Sequence, residues 1–293
     1  MADVVPGSLS EVGRIRRVVL KHARHAFAGP DAIAVEWHGL NFQAPPDFHR
    51  ALDEYDAFLE IVSSTGAQVD FLPAAKGAGL DSIYVRDASV LAPAGLVLAR
   101  MGKRQREPEP AAQGVAFQQW GLAQHGAIRS PGRLEGGDVV WLDAETLVVG
   151  RGYRTNDEGI RQLQALVGPH VRVVVVPLPH WRGAGDVFHL MSIISPVDRD
   201  LAVVYSPLMS VPFRELLLDR GIGLIEVPDE EFETMGANVL ALAPRRCLMV
   251  DGNPRTRALL EQAGAEVLTY EGHEISVKGG GGPTCLTRPI DRE

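Results

Sequence analysis

The residue with the clearest chemical potential lies near the C-terminus, where residues 277–290 read V-K-G-G-G-G-P-T-C-L-T-R-P-I and place Cys285 after four glycines and a proline. Glycines accept backbone angles that other residues avoid, so such a loop can fold tightly over a reacting centre and present amide groups to it. A thiol held there can serve as a nucleophile. A buried, inert thiol in a glycine hairpin before a last strand is the alternative. Residues 80–90, L-D-S-I-Y-V-R-D-A-S-V, set Asp81 and Asp87 around an apolar centre, with Arg86 beside Asp87. An ionised carboxylate accepts two N–H bonds side by side and so matches the fork of a guanidinium. The plainer alternative is a surface pair of Arg86 with Asp87. Residues 134–142, L-E-G-G-D-V-V-W-L, bring Glu135 and Asp138 together across two glycines, as a solvated turn or as a carboxylate site for cation binding and proton exchange. In residues 185–192, G-D-V-F-H-L-M-S, His189 is either a satisfied core histidine or a group that titrates near neutrality. The nine histidines form no H-E-x-x-H pair and the two cysteines no C-x-x-C, so a metal site is disfavoured and no cofactor is expected.

These stretches need a scaffold, and composition bounds it. A chain of 293 residues with 45% hydrophobic content can bury a full core. Its net charge of −8 and lack of a long basic run speak against nucleic acid, while a small cationic substrate suits an acidic surface. No apolar run reaches membrane-span length and the first residues resemble no signal peptide, so a cytoplasmic protein without membrane association is expected. The two cysteines are too few for a disulfide framework. Cys247, in the strand-like R-R-C-L-M-V, reads as core packing.

The hydrophobic pattern predicts strands over 14–21, 68–72, 88–91, 96–100, 138–142, 146–150, 171–176, 201–205, 223–227, 238–243, 247–250 and 265–269. Helices are predicted over 46–64, 157–167, 212–220 and 254–263, with Gly66 ending the first. Hairpins alternating with single helices point to repeated strand-strand-helix-strand modules. Residues 105–113, Q-R-E-P-E-P-A-A-Q, read as a mobile surface loop within one domain spanning 1–293.

The order R-D, then L-E-G-G-D, then H-L, then G-G-x-x-C-L resembles the guanidino-group-modifying superfamily of arginine deiminases, dimethylarginine dimethylaminohydrolases and amidinotransferases. The opening S-E-V-G-R-I-R-R-V-V-L, residues 10–20, resembles that superfamily's first strand, and the likeness spans nearly the whole chain. It implies an α/β-propeller of five strand-strand-helix-strand modules around a pseudo-fivefold axis, with the active site in the central channel. It also implies Cys285, His189 and Glu135 as catalytic residues and Asp87 as a guanidinium ligand. The segments H-L-M-S and G-Y-R-T-N, residues 189–192 and 152–156, look closest to the dimethylarginine branch. In that branch a residue matching Asp81 contacts substrate, and arginines matching Arg154 and Arg100 hold its carboxylate; Asp138 joins the binding set. Two positions depart from the subfamilies. Arg86 stands where the dimethylarginine branch has glutamate, and Met191 where deiminases have a second aspartate.

The resemblance implies a hydrolase that converts methylated arginine to citrulline and an amine through a covalent S-alkylthiouronium on Cys285, with His189 moving protons and no metal. Deiminase-like or amidinotransferase activity on another guanidino compound is the alternative within enzymes. A non-catalytic guanidino-binding protein, possible as a homo-oligomer like the others, is the alternative outside them.

Overall fold

β-Branched runs and short apolar stretches separated by glycine or acidic turns build fifteen strands in the computed structural model, which describes residues 9–186 and 188–293. Val187, in the stretch that carries His189, and the first eight residues lie outside the described residues. In chain order the strands are β1 (Ile15–Leu20), β2 (Gln68–Phe71), β3 (Ser89–Ala92), β4 (Gly95–Leu98) and β5 (Gln124–Ala127). They continue with β6 (Val139–Asp143), β7 (Thr146–Arg151), β8 (Arg172–Pro177), β9 (Ile194–Asp198) and β10 (Leu201–Val204). The last are β11 (Gly223–Glu226), β12 (Leu240–Ala243), β13 (Arg246–Val250), β14 (Glu266–Tyr270) and β15 (Arg288–Arg292).

They form five three-stranded sheets of one design, a five-module α/β-propeller. In each, the middle strand pairs antiparallel with one neighbour and, after a helix, parallel with the other: β4 with β3 and β5, β7 with β6 and β8, β10 with β9 and β11, β13 with β12 and β14. The remaining sheet joins the chain ends, because β15 pairs antiparallel with β1 while β2 pairs parallel with it. Burial grades across each sheet. β3 and β9 are buried almost throughout, whereas β2 and β11 are half-exposed at their outer edges. The polar termini of the inner strands therefore converge in the middle of the molecule, where side chains can be held out of water.

Helices Phe48–Ser63, Asp157–Val167, Val211–Asp219 and Pro254–Gln262 cross between middle and outer strands as the periodicity predicts, and Gly66 takes the left-handed φ of 77° that reverses the chain after the first. Cys247 is buried in β13, and burial pushes its thiol up to about 12. Residues 105–113 depart from the sequence reading. Arg104–Arg106 form a short 3₁₀ turn and Glu109–Gln119 a helix, with Pro110 in its first turn, where a missing N–H costs nothing. Arg106, Glu109 and Gln113 are buried, because their charges and amide find partners inside. Among the described residues no helix is long and apolar enough to cross a membrane.

Candidate active site

Each module delivers polar residues just ahead of its innermost strand, one in four modules and two in the fifth. Asp87 precedes β3, Glu135 and Asp138 precede β6, His189 precedes β9, Asn238 precedes β12 and Cys285 precedes β15. Short 3₁₀ turns over Gly136–Asp138 and Leu190–Ser192 bend the chain at two of these entries. Gly137 shows why two glycines separate the acids. A Cβ there would lie 2.7 Å from Asp87 Oδ1 and 2.8 Å from His189 Nδ1, inside the space those groups occupy.

Glu135 and His189 are the tightest pair. His189 Nε2 lies 2.7 Å from Glu135 Oε2, with Glu135 fully buried and His189 only 4% exposed. Glu135 Oε1 accepts from the Gly102 and Lys103 amides at 2.8 and 3.3 Å and has Arg154 Nη1 at 3.7 Å. Burial alone would raise the Glu135 carboxyl; the His189 contact and the charges of Arg154 and Arg106 outweigh it and hold the group well below the usual carboxylate range. Burial likewise works against the His189 cation, yet the carboxylates of Asp87, Asp138 and Glu135 hold it up at about 9. Near neutral pH the two form an imidazolium–carboxylate pair. Asp138 accepts from the Leu190 amide at 3.0 Å and so fixes the turn that carries His189; burial pushes its carboxyl up to about 6.

Asp87 sits at hydrogen-bond range of the Gly137 amide, 3.0 Å, and 4.0 Å from His189 Nδ1. Its other oxygen accepts from Arg106 Nη1 at 2.6 Å, and Arg106 is also bound two-pronged by Glu109 at 2.8 Å per contact. The pairing of Arg86 with Asp87 expected as the plainer alternative does not form. Arg86 turns away from Asp87, to Glu11 at 3.1 Å, within the turn that leads into β3. Asp81 is tied to Lys103 Nζ at 2.6 Å.

Cys285 is partly exposed, and its Sγ receives Asn238 Nδ2 at 3.5 Å with Thr284 Oγ1 at 3.8 Å. Asn238 Oδ1 in turn accepts from the amide and hydroxyl of Thr284 at 3.0 and 2.9 Å. Burial and the Asp87 charge raise the Cys285 thiol above its ordinary value, against the opposing pull of Thr284, Arg86 and Asn238. Cys285 and His189 open onto one cavity of about 190 Å³. Its wall includes the apolar Phe188, Met191, Met235 and Ala237.

Of the residues singled out by sequence, Cys285 and His189 line the cavity, and Glu135, Asp87 and Asp138 stand behind His189. Asp81, Arg100 and Arg154 are not in its wall. Arg100 donates to the Gly132 carbonyl at 3.2 Å, and Arg154 is drawn to Glu135 and to the Asp186 carbonyl at 3.3 Å. Besides His189, the wall carries the cations Arg182 and Lys278. Sequence reasoning missed Asn238, Arg106 and Lys103. Asn238 had a usable signal, since it occupies the one module entry left without a polar assignment. The donor atoms of Asp87, Glu135 and His189 lie within 4.8 Å of one another, a cluster invisible in their spacing along the chain. Neutralised by His189 and Arg106, these carboxylates meet the charge of a proton shuttle better than that of a divalent ion.

Propeller and site together define a guanidino-group-modifying protein. The family model for eukaryotic N,N dimethylarginine dimethylhydrolase matches residues 41–292, and the chain belongs to this family. It is 32% identical over 242 residues, 82% of this chain and 86% of the relative, to the N(G),N(G)-dimethylarginine dimethylaminohydrolase of Streptomyces coelicolor. An arginine deiminase of Rhodococcus erythropolis is 31% identical over 55% of this chain and 46% of its own length. Among solved structures, the citrulline complex of a cysteine-to-serine variant of the Pseudomonas aeruginosa enzyme superposes with a TM-score of 0.74, at 21% identity over 96% of this chain and all of that one. The product-bound N-terminal domain of a cyanobacterial arginine dihydrolase gives 0.79, at 19% identity over 95% of this chain and 98% of that one.

Proposed function

We propose that the protein hydrolyses a methylated arginine to citrulline and a methylamine, with Cys285 as nucleophile. One observation carries this reading: a thiol with an amide donor on its sulfur and a buried imidazolium–carboxylate pair open onto the same cavity. A guanidinium carbon is a poor electrophile because its charge is spread over three nitrogens, so the reaction needs a strong nucleophile and a proton for the departing amine. The arriving cation favours the thiolate that burial disfavours. The thiolate attacks the carbon and forms a C–S bond. His189 then gives its proton to the methylated nitrogen, and the C–N bond breaks to leave an S-alkylthiouronium. Water, deprotonated by the now neutral His189, forms the C–O bond, and the C–S bond breaks to return the thiolate. Glu135 stabilises the imidazolium and fixes the ring, Asp138 fixes its turn, and Asp87 supplies negative charge toward the guanidinium. No step calls for a metal or cofactor.

The apolar wall at Phe188, Met191, Met235 and Ala237 supports a methyl-bearing guanidinium, since a buried carboxylate at position 191 would favour free N–H groups instead. A second reading, hydrolysis of unmethylated arginine, is favoured by the Arg86-Asp87 dipeptide, which looks like that of deiminases, and by the deiminase relatives. Assay of arginine, mono- and dimethylarginine and agmatine, scoring ureido product, released amine and amidino transfer, separates the readings. Methylated arginines should show the highest kcat/KM. Preference for arginine would select the second reading, and transfer to an added amine would replace both. If Arg154 leaves Glu135 to hold a substrate carboxylate, Arg154→Ala should harm arginine derivatives far more than agmatine.

A further inference from the structure

Cys285 is held from behind by a group with no part in the proton chemistry. Arg86 is 1% exposed, and its side chain runs from the Asp87 segment to the back of the cysteine loop. Its Nε donates to the Thr284 carbonyl at 2.9 Å, and its own amide donates to the Cys285 carbonyl at 3.2 Å. Beyond the loop, its two terminal nitrogens reach both oxygens of Glu11, at 3.4 and 3.1 Å. Arg288 donates to the Arg86 carbonyl from the start of β15. One guanidinium thus links the turn at Ser10–Gly13, the entry to β3 and the entry to β15. A fork with fixed geometry on two acceptors resists rotation in a way that a single contact does not.

We infer that Arg86, fixed by Glu11, is a positioning residue that sets the distance and ionisation of the Cys285 sulfur for attack. The inference rests on the reading of Cys285 as nucleophile. Its physical basis is that the sulfur sits on a chain with two anchor planes. Asn238 holds the face toward the cavity and Arg86 the face away from it, so loss of either lets Thr284–Cys285 shift by a fraction of a bond length or more. An ångström-scale misplacement of a reacting atom costs on the order of a hundredfold in rate. The guanidinium also adds positive charge near a thiol that otherwise feels Asp87 and the Tyr84 and Tyr270 hydroxyls and shares its cavity with His189, Lys278, Arg182, Asp186 and Glu233.

The experiment compares the parent protein with Arg86→Gln, Arg86→Lys and Glu11→Gln. It measures kcat and KM on the best methylated arginine and the pH dependence of iodoacetamide alkylation at Cys285, resolved by peptide mass. Arg86→Gln removes the charge and should lower kcat on the order of a hundredfold, with KM changed less than about threefold and the alkylation profile moved to higher pH. Arg86→Lys keeps the charge but loses the fork; it should recover part of kcat and leave the alkylation profile near the parent's. Glu11→Gln should lower kcat on the order of tenfold by loosening Arg86. If Arg86→Gln does not fold, the lysine and Glu11 variants carry the test by the same split. Parental kcat in the folded variants, or KM rising in step with an unchanged alkylation profile, overturns the inference. The nucleophile reading is checked separately by Cys285→Ser: an active serine variant removes that reading, whereas an inactive one beside parental Arg86 variants removes the positioning role alone.

Discussion

The floor and the mouth of the same cavity are built on opposite principles. At the floor, Glu135 is fully buried, Asp87 is 3% exposed, and charge is matched in closed pairs: His189 with Glu135, Arg106 with Asp87 and Glu109. At the mouth, Arg182 and Glu233 pair at 2.7 Å with side chains 60% and 49% exposed, beside an edge-on contact of Trp181 with Phe232. The floor spends conformational freedom to fix protonation states, since a buried ion loses several kcal/mol of hydration and persists only with a partner. The mouth is held by contacts that water can replace. On the proposed reading, chemistry resides below, and adjustment to the distal part of a substrate above.

The contrast breaks most completely at the sulfur. Cys285→Ser should fold and bind substrate yet lose kcat by a factor on the order of 10⁴ or more, because a hydroxyl is scarcely ionised at neutral pH. Steady-state assay beside a ligand-binding measurement reads both halves. Next in size is Glu135→Gln, which leaves the His189 imidazolium without its counter-charge; kcat should fall about 10²–10⁴-fold, and the alkaline limb of the rate profile should move to lower pH as His189 loses its proton earlier.

The third prediction concerns stability. His189 holds its proton to about 9 in the folded chain, against an ordinary value of 6.5. Its contribution is therefore complete below pH 6.5 and lost as pH rises through 9, a change of at most about 3 kcal/mol. Urea midpoints of the parent should fall across this window, and the fall should be smaller in His189→Gln. An identical slope in both would show that the floor is not charged as described. The smallest effect belongs to the mouth: Arg182→Ala should change stability by less than about 1 kcal/mol and KM by a few-fold, with kcat nearly kept.

The same contrast explains what was legible in the sequence. The helix Asp157–Val167 is readable to the residue because Asn156 caps it through the Gly159 amide at 2.9 Å and Gly168 stops it at a φ of 85°. Cys285, Glu135 and His189 stand out because glycine turns or a chemically distinctive side chain mark them. By contrast, Glu109–Gln119 buries a glutamate and a glutamine through ion pairing and hydrogen bonds, so its inward face carries no apolar periodicity. β5, with the sequence Q-H-G-A, and β9, I-S-P-V-D, are strands by virtue of their neighbours, not by their own propensity. Arg154 stands outside the cavity wall for a related reason. A sequence names the arginines but not which carboxylates compete for them, and here Glu135 and Asp87 claim Arg154 and Arg106.

The central claim is that the amine leaves from a carbon bonded to Cys285, and acid quench during turnover of a methylated arginine tests it directly. Peptide mass analysis should find the S-alkylthiouronium on the Cys285 peptide of the parent and none on the Cys285→Ser protein. Sustained turnover with no adduct under conditions that trap one on a mechanism-based thiocitrulline analogue, together with full activity in Cys285→Ser, would contradict it.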